Sequence, residues 1–426
     1  MEKRRTIDDI NVKIASGAAG VYTIQELIDA AKSGEEFSFD DVDVVTTATK
    51  GLMSGIMGIF SFRVAPPRMH RKFIEISING VPGFSGPCPN EFLGIVDFII
   101  YGTAQSSTCE EYSGGNLFRD LVEGKEVHVL AKSNDGTTVE QQITLEDMQY
   151  ARMMGTRQAI KNYNAMINPT TEPVDTIFSV LPFQPDCSEI TFSGCGALNP
   201  FQNDPTFEIF GVGSPLLVNG ARGYLIGPGT RNYVGKPNMM TIVDFKGMKP
   251  EYMGAFKTSY GLEPVCSIAA PIPITSEGVF ANLVTSDFDV PLTILNLVGR
   301  EKVGETTYGD VWNGNYLITF DGDKCDDCDP CPVEVKCPMK AFKIVPGIDR
   351  TRCFNCGACV GMCEQGAFYG DLKSVKVLGK DVPVVLRQSD KHGAIKLAEE
   401  LKHLLLAGQF HLAKPTASIT FADEVK

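Results

Sequence analysis

Hydrophobic and polar positions alternate in several registers along this chain, and each register predicts an element. Near the amino end, TIDDINVKIASG and TIQELIDAAKSG carry apolar residues at helical spacing. Each opens on a Thr that can cap a helix and closes at a Gly. In the second, Glu26 stands where a capping box with Thr23 needs it. FDDVDVVTTAT, KFIEISING and FLGIVDFIIYGT read as strands. EVHVLAKSNDGTTVEQQITL alternates on either side of Asn134, Asp135 and Gly136, which predicts a hairpin. EDMQYARMMGTRQAIKNYNAMI spaces its apolar residues by threes and fours and predicts a helix.

From 170 to 320 the chain is rich in Gly and Pro, with short strand-like runs such as SPLLVNGARGYLIGPG, TIVDFKG, PLTILNLVG and NYLITFDG. No internal repeat or low-complexity tract stands out. At the carboxyl end VPVVLRQSD reads as a strand. AIKLAEELKHLLLAG follows as an amphipathic helix with Ile395, Ala398, Leu401 and Leu405 on one face, and packing is the ordinary use of such a face. The fold class expected is a large mixed α/β or α+β body over residues 1–320. A small module over 321–371 and a strand–helix extension over 372–426 complete the chain.

Composition narrows the function classes. A 43% apolar and 21% charged chain of 426 residues is globular. Basic residues number 39 and acidic ones 52, a net charge of −13, which argues against nucleic acid as a partner. FLGIVDFIIYG is too short for a membrane span and contains Asp97, and the basic amino end has no apolar core behind it. The expectation is a cytoplasmic protein without a membrane partner. The histidines form no HExxH or paired-ligand pattern, and no P-loop or dinucleotide fingerprint is present.

The thirteen cysteines are unevenly placed. Cys88, Cys109, Cys187, Cys195 and Cys266 are scattered, whereas eight fall between Cys325 and Cys363. Without a secretory signal, such a cluster reads as a metal site rather than as disulfides. Cys325, Cys328 and Cys331 form one CxxCxxC run, followed by Cys337-Pro338; Cys353, Cys356 and Cys359 form another, followed by Cys363. Three thiolates from one loop and a fourth from the other motif is the arrangement of two-cluster ferredoxins. The spacing thus predicts two [4Fe–4S] clusters, one on Cys325, Cys328, Cys331 and Cys363, the other on Cys353, Cys356, Cys359 and Cys337. The module resembles a bacterial-type ferredoxin domain. It departs from that pattern in the five residues before Cys337 and in Glu364, where a Pro is usual. Zinc is the weaker alternative, because tetrahedral sites usually take pairs of cysteines.

VDVVTTATKGLMSG, FSGCGALNPFQNDPTFEIFGVGSPLLVNGARGYLIGPGT and FKGMKPEYMGAFKTSYG resemble the archaeal family that makes homocysteine from aspartate semialdehyde. With GPCPNE at 86–91 and the cysteine module, the whole is similar to the methanogenesis marker 16 metalloproteins. The resemblance implies sulfur transfer to an aldehyde. A thiolate carrying sulfur would attack the carbonyl, and two one-electron clusters would supply the reducing electrons. After TTATKGLM, where the homocysteine-forming relatives carry a cysteine that looks catalytic, this chain has Ser54. Cys88 and Cys195, each beside Gly or Pro, are the candidates to take over that role. Cys109, Cys187 and Cys266 read as structural.

Lys50 stands where those relatives have an apolar residue, which implies a more strongly anionic substrate. Arg63, Arg68 and Arg71 follow in sequence. The reading expected is reductive thiolation of sulfoacetaldehyde to coenzyme M. Its partners would be a small anionic aldehyde, a sulfide or persulfide donor, and an electron donor such as reduced ferredoxin, in a chain that allows homo-oligomers. Aspartate semialdehyde as substrate, and a non-catalytic electron-transfer or cluster-delivery subunit, are the alternatives.

Overall fold

A computed structural model describes residues 3–86, 91–161 and 163–423. The two amino-terminal helices form as expected, Ile7–Ala15 behind Thr6 and Ile24–Ser33 behind Thr23, both with complete capping boxes. They flank one end of the larger of two sheets.

Strand Val44–Leu52 lies near the edge of that sheet, parallel to Val21–Thr23 and antiparallel to the long strand Leu262–Pro273. It is buried on both faces along nearly its whole length, which explains its unbroken run of small and β-branched residues. The next strand in the chain, Ile56–Arg63, is separated from it in the sheet by five others. Six flat inter-strand steps would cover about 29 Å, yet the four residues from Leu52 to Ile56 reach no more than about 14 Å. The sheet therefore curls back on itself. Met53 extends the ladder with Leu262–Pro273 by donating its N–H to the Pro264 carbonyl at 2.9 Å, and across the closure Gly102 is pressed against both Ile56 and Pro264, where a side chain has no room.

The expected helix over 146–167 is not formed. Tyr150–Gln158 is a strand of the large sheet, and Ala165–Ile167 a strand of the second sheet. Ala151, Met153 and Gly155 alternate inward, so the same residues satisfy a period of two. Antiparallel partners on both sides, Ile56–Arg63 and Met239–Asp244, decide the matter. The hairpin around Asn134–Gly136 forms as expected, between Val127–Ser133 and Thr138–Ile143.

The second sheet has six strands among the described residues, in the order Lys302–Thr307, Pro291–Asn296, Ala165–Ile167, Ile190–Phe192, Lys380–Arg387, Ser374–Val377. The carboxyl-terminal strand is thus built into the body, parallel to Ile190–Phe192. Helix Lys391–Leu406 then lies across Val44–Leu52 and Leu262–Pro273, burying Ala394, Leu397, Ala398, Leu401 and Leu405. Between the body and this return, the cysteine module hangs on a short paired neck, Thr319–Phe320 against Phe368–Tyr369. Phe320, Phe342 and Phe368 form its small core, with ring centroids 4.8–5.0 Å apart. No described helix is long and apolar enough to cross a membrane.

Candidate functional site

The return from the module to the body passes through Arg387, Gln388, Ser389, Asp390 and Lys391, five polar residues each at most 3% exposed. Such a run is stable only if each group finds partners. On one side lies the second cysteine loop. The Arg387 N–H donates to the Cys356 carbonyl at 2.9 Å, and Asn355 Nδ2 donates to Asp390 Oδ1 at 3.0 Å. On the other side lies the body. Ser389 Oγ accepts from the Gly194 N–H at 2.7 Å, and Ser193 Oγ donates to Gln388 Oε1 at 2.9 Å. Lys50 Nζ donates to Asp390 Oδ2 at 2.8 Å and to the Glu251 carbonyl at 2.9 Å. Asp390 also accepts from the Gly393 N–H at 3.0 Å and so caps the last helix.

Cys195 sits at this junction, wholly buried. Thr49 Oγ1 donates to its sulfur at 3.6 Å, and the thiol donates to the Lys50 carbonyl at 3.7 Å. Burial pushes the thiol pKa up; the hydrogen bonds at Lys50 and Thr49 and the charge of Lys391 pull the other way. Lys391 is ion-paired with Asp287, whose other oxygen accepts from the Ala197 N–H at 2.9 Å. Tyr308 donates to the Ser193 carbonyl at 2.7 Å and Trp312 to the Gly194 carbonyl at 3.0 Å. The loop carrying Cys195 is therefore fixed on all sides, and Gly194 and Gly196 adopt positive φ where side chains would strike Tyr308 and Asp287.

The eight module cysteines face two cavities. Cys337, Cys353, Cys356 and Cys359 line one, with Phe354 and Met339; Cys325, Cys328, Cys331 and Cys363 line the other. Val333, Phe342 and Phe368 belong to the walls of both. The first cavity adjoins the body through an apolar contact of Phe256, Val265 and Leu386 with Phe354 and Met339. Cys328 of the second is exposed. Arg387, beside Cys356, stacks over Trp312 at 4.9 Å and donates to the Asp371 carbonyl, while its Nε and Nη1 are buried without a partner among the described residues.

The other residues singled out from sequence are dispersed. Ser54 is exposed in the turn between the two halves of the large sheet and donates to Glu263, whose carboxyl burial pushes up. Lys50 is brought to Cys195 but arrives already paired with Asp390. Arg63 ends its strand, about 23 Å along it from Ile56, and donates to the Leu93 carbonyl at 2.9 Å; Arg68 is exposed nearby. Cys88 lies outside the described residues. Cys109 is exposed, and Cys187 is half-buried. Cys266 is buried, and burial pushes it up to about 12.

A family model described as "Homocysteine biosynthesis enzyme, sulfur-incorporation" matches residues 19–412. The chain belongs to this family. Among its relatives in the homocysteine-biosynthesis family is an uncharacterized protein of Methanothermobacter thermautotrophicus. It is 42% identical over 407 residues, covering 95% of this chain and 94% of the relative. An L-aspartate semialdehyde sulfurtransferase of Methanosarcina acetivorans is 31% identical over 329 residues, 73% of this chain and 63% of that protein. One from Methanocaldococcus jannaschii is 30% identical over 342 residues, 76% and 65% respectively. No solved structure matches. The family match ends at 412, so it takes in the buried run 387–391. Sequence reasoning missed that run; its one signal was an Asp at the cap of the helix that follows.

Proposed function

We propose that this chain is an iron–sulfur sulfurtransferase that reductively thiolates a small anionic aldehyde, converting sulfoacetaldehyde to coenzyme M. The observation that carries the reading is the position of Cys195. It lies in a fixed loop that 387–391 ties directly to the second cysteine loop. A reacting group placed there is one short relay from the module.

Two [4Fe–4S] clusters, one on Cys325, Cys328, Cys331 and Cys363 and one on Cys337, Cys353, Cys356 and Cys359, would supply electrons singly. Several features fit them. Four cysteines line each of the two cavities. The unpartnered N–H groups of Arg387 beside Cys356 suit a negatively charged group, and the Ala341 N–H already donates to Cys337 Sγ at 3.3 Å.

In the overall change, an aldehyde, hydrogen sulfide, two electrons and two protons give a thiol and water. A carbon–sulfur bond forms and the carbonyl oxygen leaves as water. If Cys195 delivers the sulfur as a persulfide, its S–S bond must also be reduced, which takes two more electrons and two more protons. Cys195 is the sulfur carrier in this scheme, loaded by exchange with a persulfide donor whose outer sulfur is already at the sulfane level and whose thiolate leaves. Lys391 favours its thiolate, and Thr49 orients the sulfur. Tyr163 and Tyr308, whose hydroxyls burial holds protonated, are within electrostatic reach of a thiolate at Cys195 and are the candidate proton donors for the departing oxygen.

The names of the two sulfurtransferase relatives support an aldehyde substrate, and they support homocysteine formation from aspartate semialdehyde as directly. Ser54 in place of a cysteine favours a different substrate. The test is an anaerobic assay of the full chain with reduced ferredoxin and a persulfide donor, offering each aldehyde in turn. Coenzyme M should form, and Cys195→Ser should abolish it while iron and acid-labile sulfide contents stay unchanged. Homocysteine as the preferred product would establish the alternative. Thiol formation undiminished in Cys195→Ser would remove Cys195 from the mechanism.

A further inference from the structure

Four cations gather beside the Cys195 loop without a carboxylate among them. Arg157 closes the strand Tyr150–Gln158. The loop 229–238 folds back over that strand's end: Thr230 donates to the Thr156 carbonyl at 2.8 Å, and Lys161 to the Pro237 carbonyl at 2.9 Å. This brings the loop with Arg231 and Lys236 to the strand end at Arg157, and Arg300, whose guanidinium lies over Phe178 at 4.8 Å and donates to Met166 Sδ at 3.3 Å, is close enough from the second sheet for its charge to bear on Lys236. Burial, with the charges of Arg157 and Arg300, pushes Lys236 down to about 8; burial, with Arg231, pushes Arg157 down. None of the four forms an ion pair with a described carboxylate. Asp204, whose charge bears on Lys161, is taken up by the backbone N–H groups of Glu208, Ile209 and Phe210.

Two donors here are buried and unused, Arg157 Nε and the Tyr163 hydroxyl. Tyr163 lies in the segment that joins the end of the Arg157 strand to the Cys195 loop: the Ser193 N–H donates to the Asn164 carbonyl at 3.2 Å, and Asn199 Nδ2 to the Ile160 carbonyl at 3.0 Å. Arg231 and Arg300 are exposed, so the group opens to solvent on the side away from Cys195. Like charges held together with orphaned donors are unfavourable unless an anion completes the set.

We propose that Arg157, Lys236, Arg231 and Arg300 form an oxyanion site that holds the sulfonate end of the substrate, with Tyr163 leading from it towards Cys195. The proposal rests on the reading of an anionic aldehyde as substrate and names the residues that select it. It transfers the anion-binding role from Lys50, Arg63 and Arg68 to residues that have no counter-charge of their own. Guanidinium forks suit the three oxygens of a sulfonate better than an ammonium does.

The probe is ethanesulfonate, which carries the anion and cannot react. Calorimetric titration of the anaerobically purified full chain should show binding that weakens at least tenfold in Lys236→Met and in Arg157→Gln, and propionate should bind more weakly. Thermal unfolding supplies the second measurement. Without the anion, Lys236→Met should melt higher than the parent, because repulsion is relieved, and ethanesulfonate should raise the melting point of the parent only. Unchanged affinity in both variants, equal affinity for propionate, or a lower melting point for anion-free Lys236→Met would overturn the site. Binding needs neither electrons nor sulfide, so the thiol assay remains an independent test of the reaction.

Discussion

Asp390 is the residue through which the module, the body and the last helix meet, and Asp390→Asn isolates its charge. The native carboxylate, buried with Lys50, accepts from Lys50 Nζ, Asn355 Nδ2 and the Gly393 N–H. Asn keeps the shape and one acceptor oxygen, so the cap can persist, but it leaves the Lys50 ammonium without its anion. Removing one partner of a buried pair costs about 3–5 kcal/mol, a large part of the roughly 5–15 kcal/mol that holds a typical protein folded. Asp390→Ala adds the lost cap, for a total of about 4–6 kcal/mol. The double variant Lys50→Met/Asp390→Asn removes both charges and should regain about 2–3 kcal/mol relative to Asp390→Asn. Equilibrium urea unfolding under anaerobic conditions, read by circular dichroism and by the fluorescence of Trp312, the single tryptophan, measures all four corners of the cycle. A loss below about 1 kcal/mol in Asp390→Asn, or no recovery in the double variant, would refute the reasoning.

Three further outcomes follow from particular residues. Cys266 has a folded pKa near 12, above that of an unfolded thiol, so its stabilising contribution is complete below about pH 9 and falls as pH rises towards 12; the slope is up to about 1.4 kcal/mol per pH unit. Cys266→Ala should flatten that part of the stability–pH curve, and an unchanged slope would show that the thiol ionises freely in the folded state. Arg387→Met should shift the midpoint potential of the cluster proposed on Cys337, Cys353, Cys356 and Cys359 to more negative values in an EPR-monitored titration, by removing N–H donors and positive charge beside Cys356; no shift would mean that the guanidinium serves only Trp312 and Asp371. Iodoacetamide applied to the native chain should label exposed Cys109 well before buried Cys195, as peptide mass spectrometry would show, and the reverse order would require Cys195 to be open to solvent.

Local signals in the sequence are legible where they depend on neighbours in the chain. Thr23 and Glu26 cap their helix, Asn134–Gly136 turn their hairpin, and the cysteine spacing separates into the two groups of four that line the two cavities. Legibility ends where the deciding partner is remote. The residues 150–158 suit either period, and only the flanking strands make them a strand. Arg387 to Asp390 read only as the end of a strand, because the partners that bury them and Lys391, namely Lys50, Gly194, Asn355 and Asp287, come from distant parts of the chain. Arg157 and the three cations beside it are invisible in sequence for the same reason: they come from three separate segments, and their meaning lies in the lack of an ion pair with any described carboxylate.

The parallel pairing of Ile190–Phe192 with Lys380–Arg387 also imposes an order on synthesis. When Ile190–Phe192 leaves the ribosome, the strand that will cover its free edge has not been made. At roughly 5–20 residues per second the wait is on the order of 10–40 s. All eight module cysteines emerge during that interval, before the last strand and helix can close over the body. The body can close only around a module that has already been translated, so a nascent chain exposes its module cysteines while the junction with Cys195 is still open.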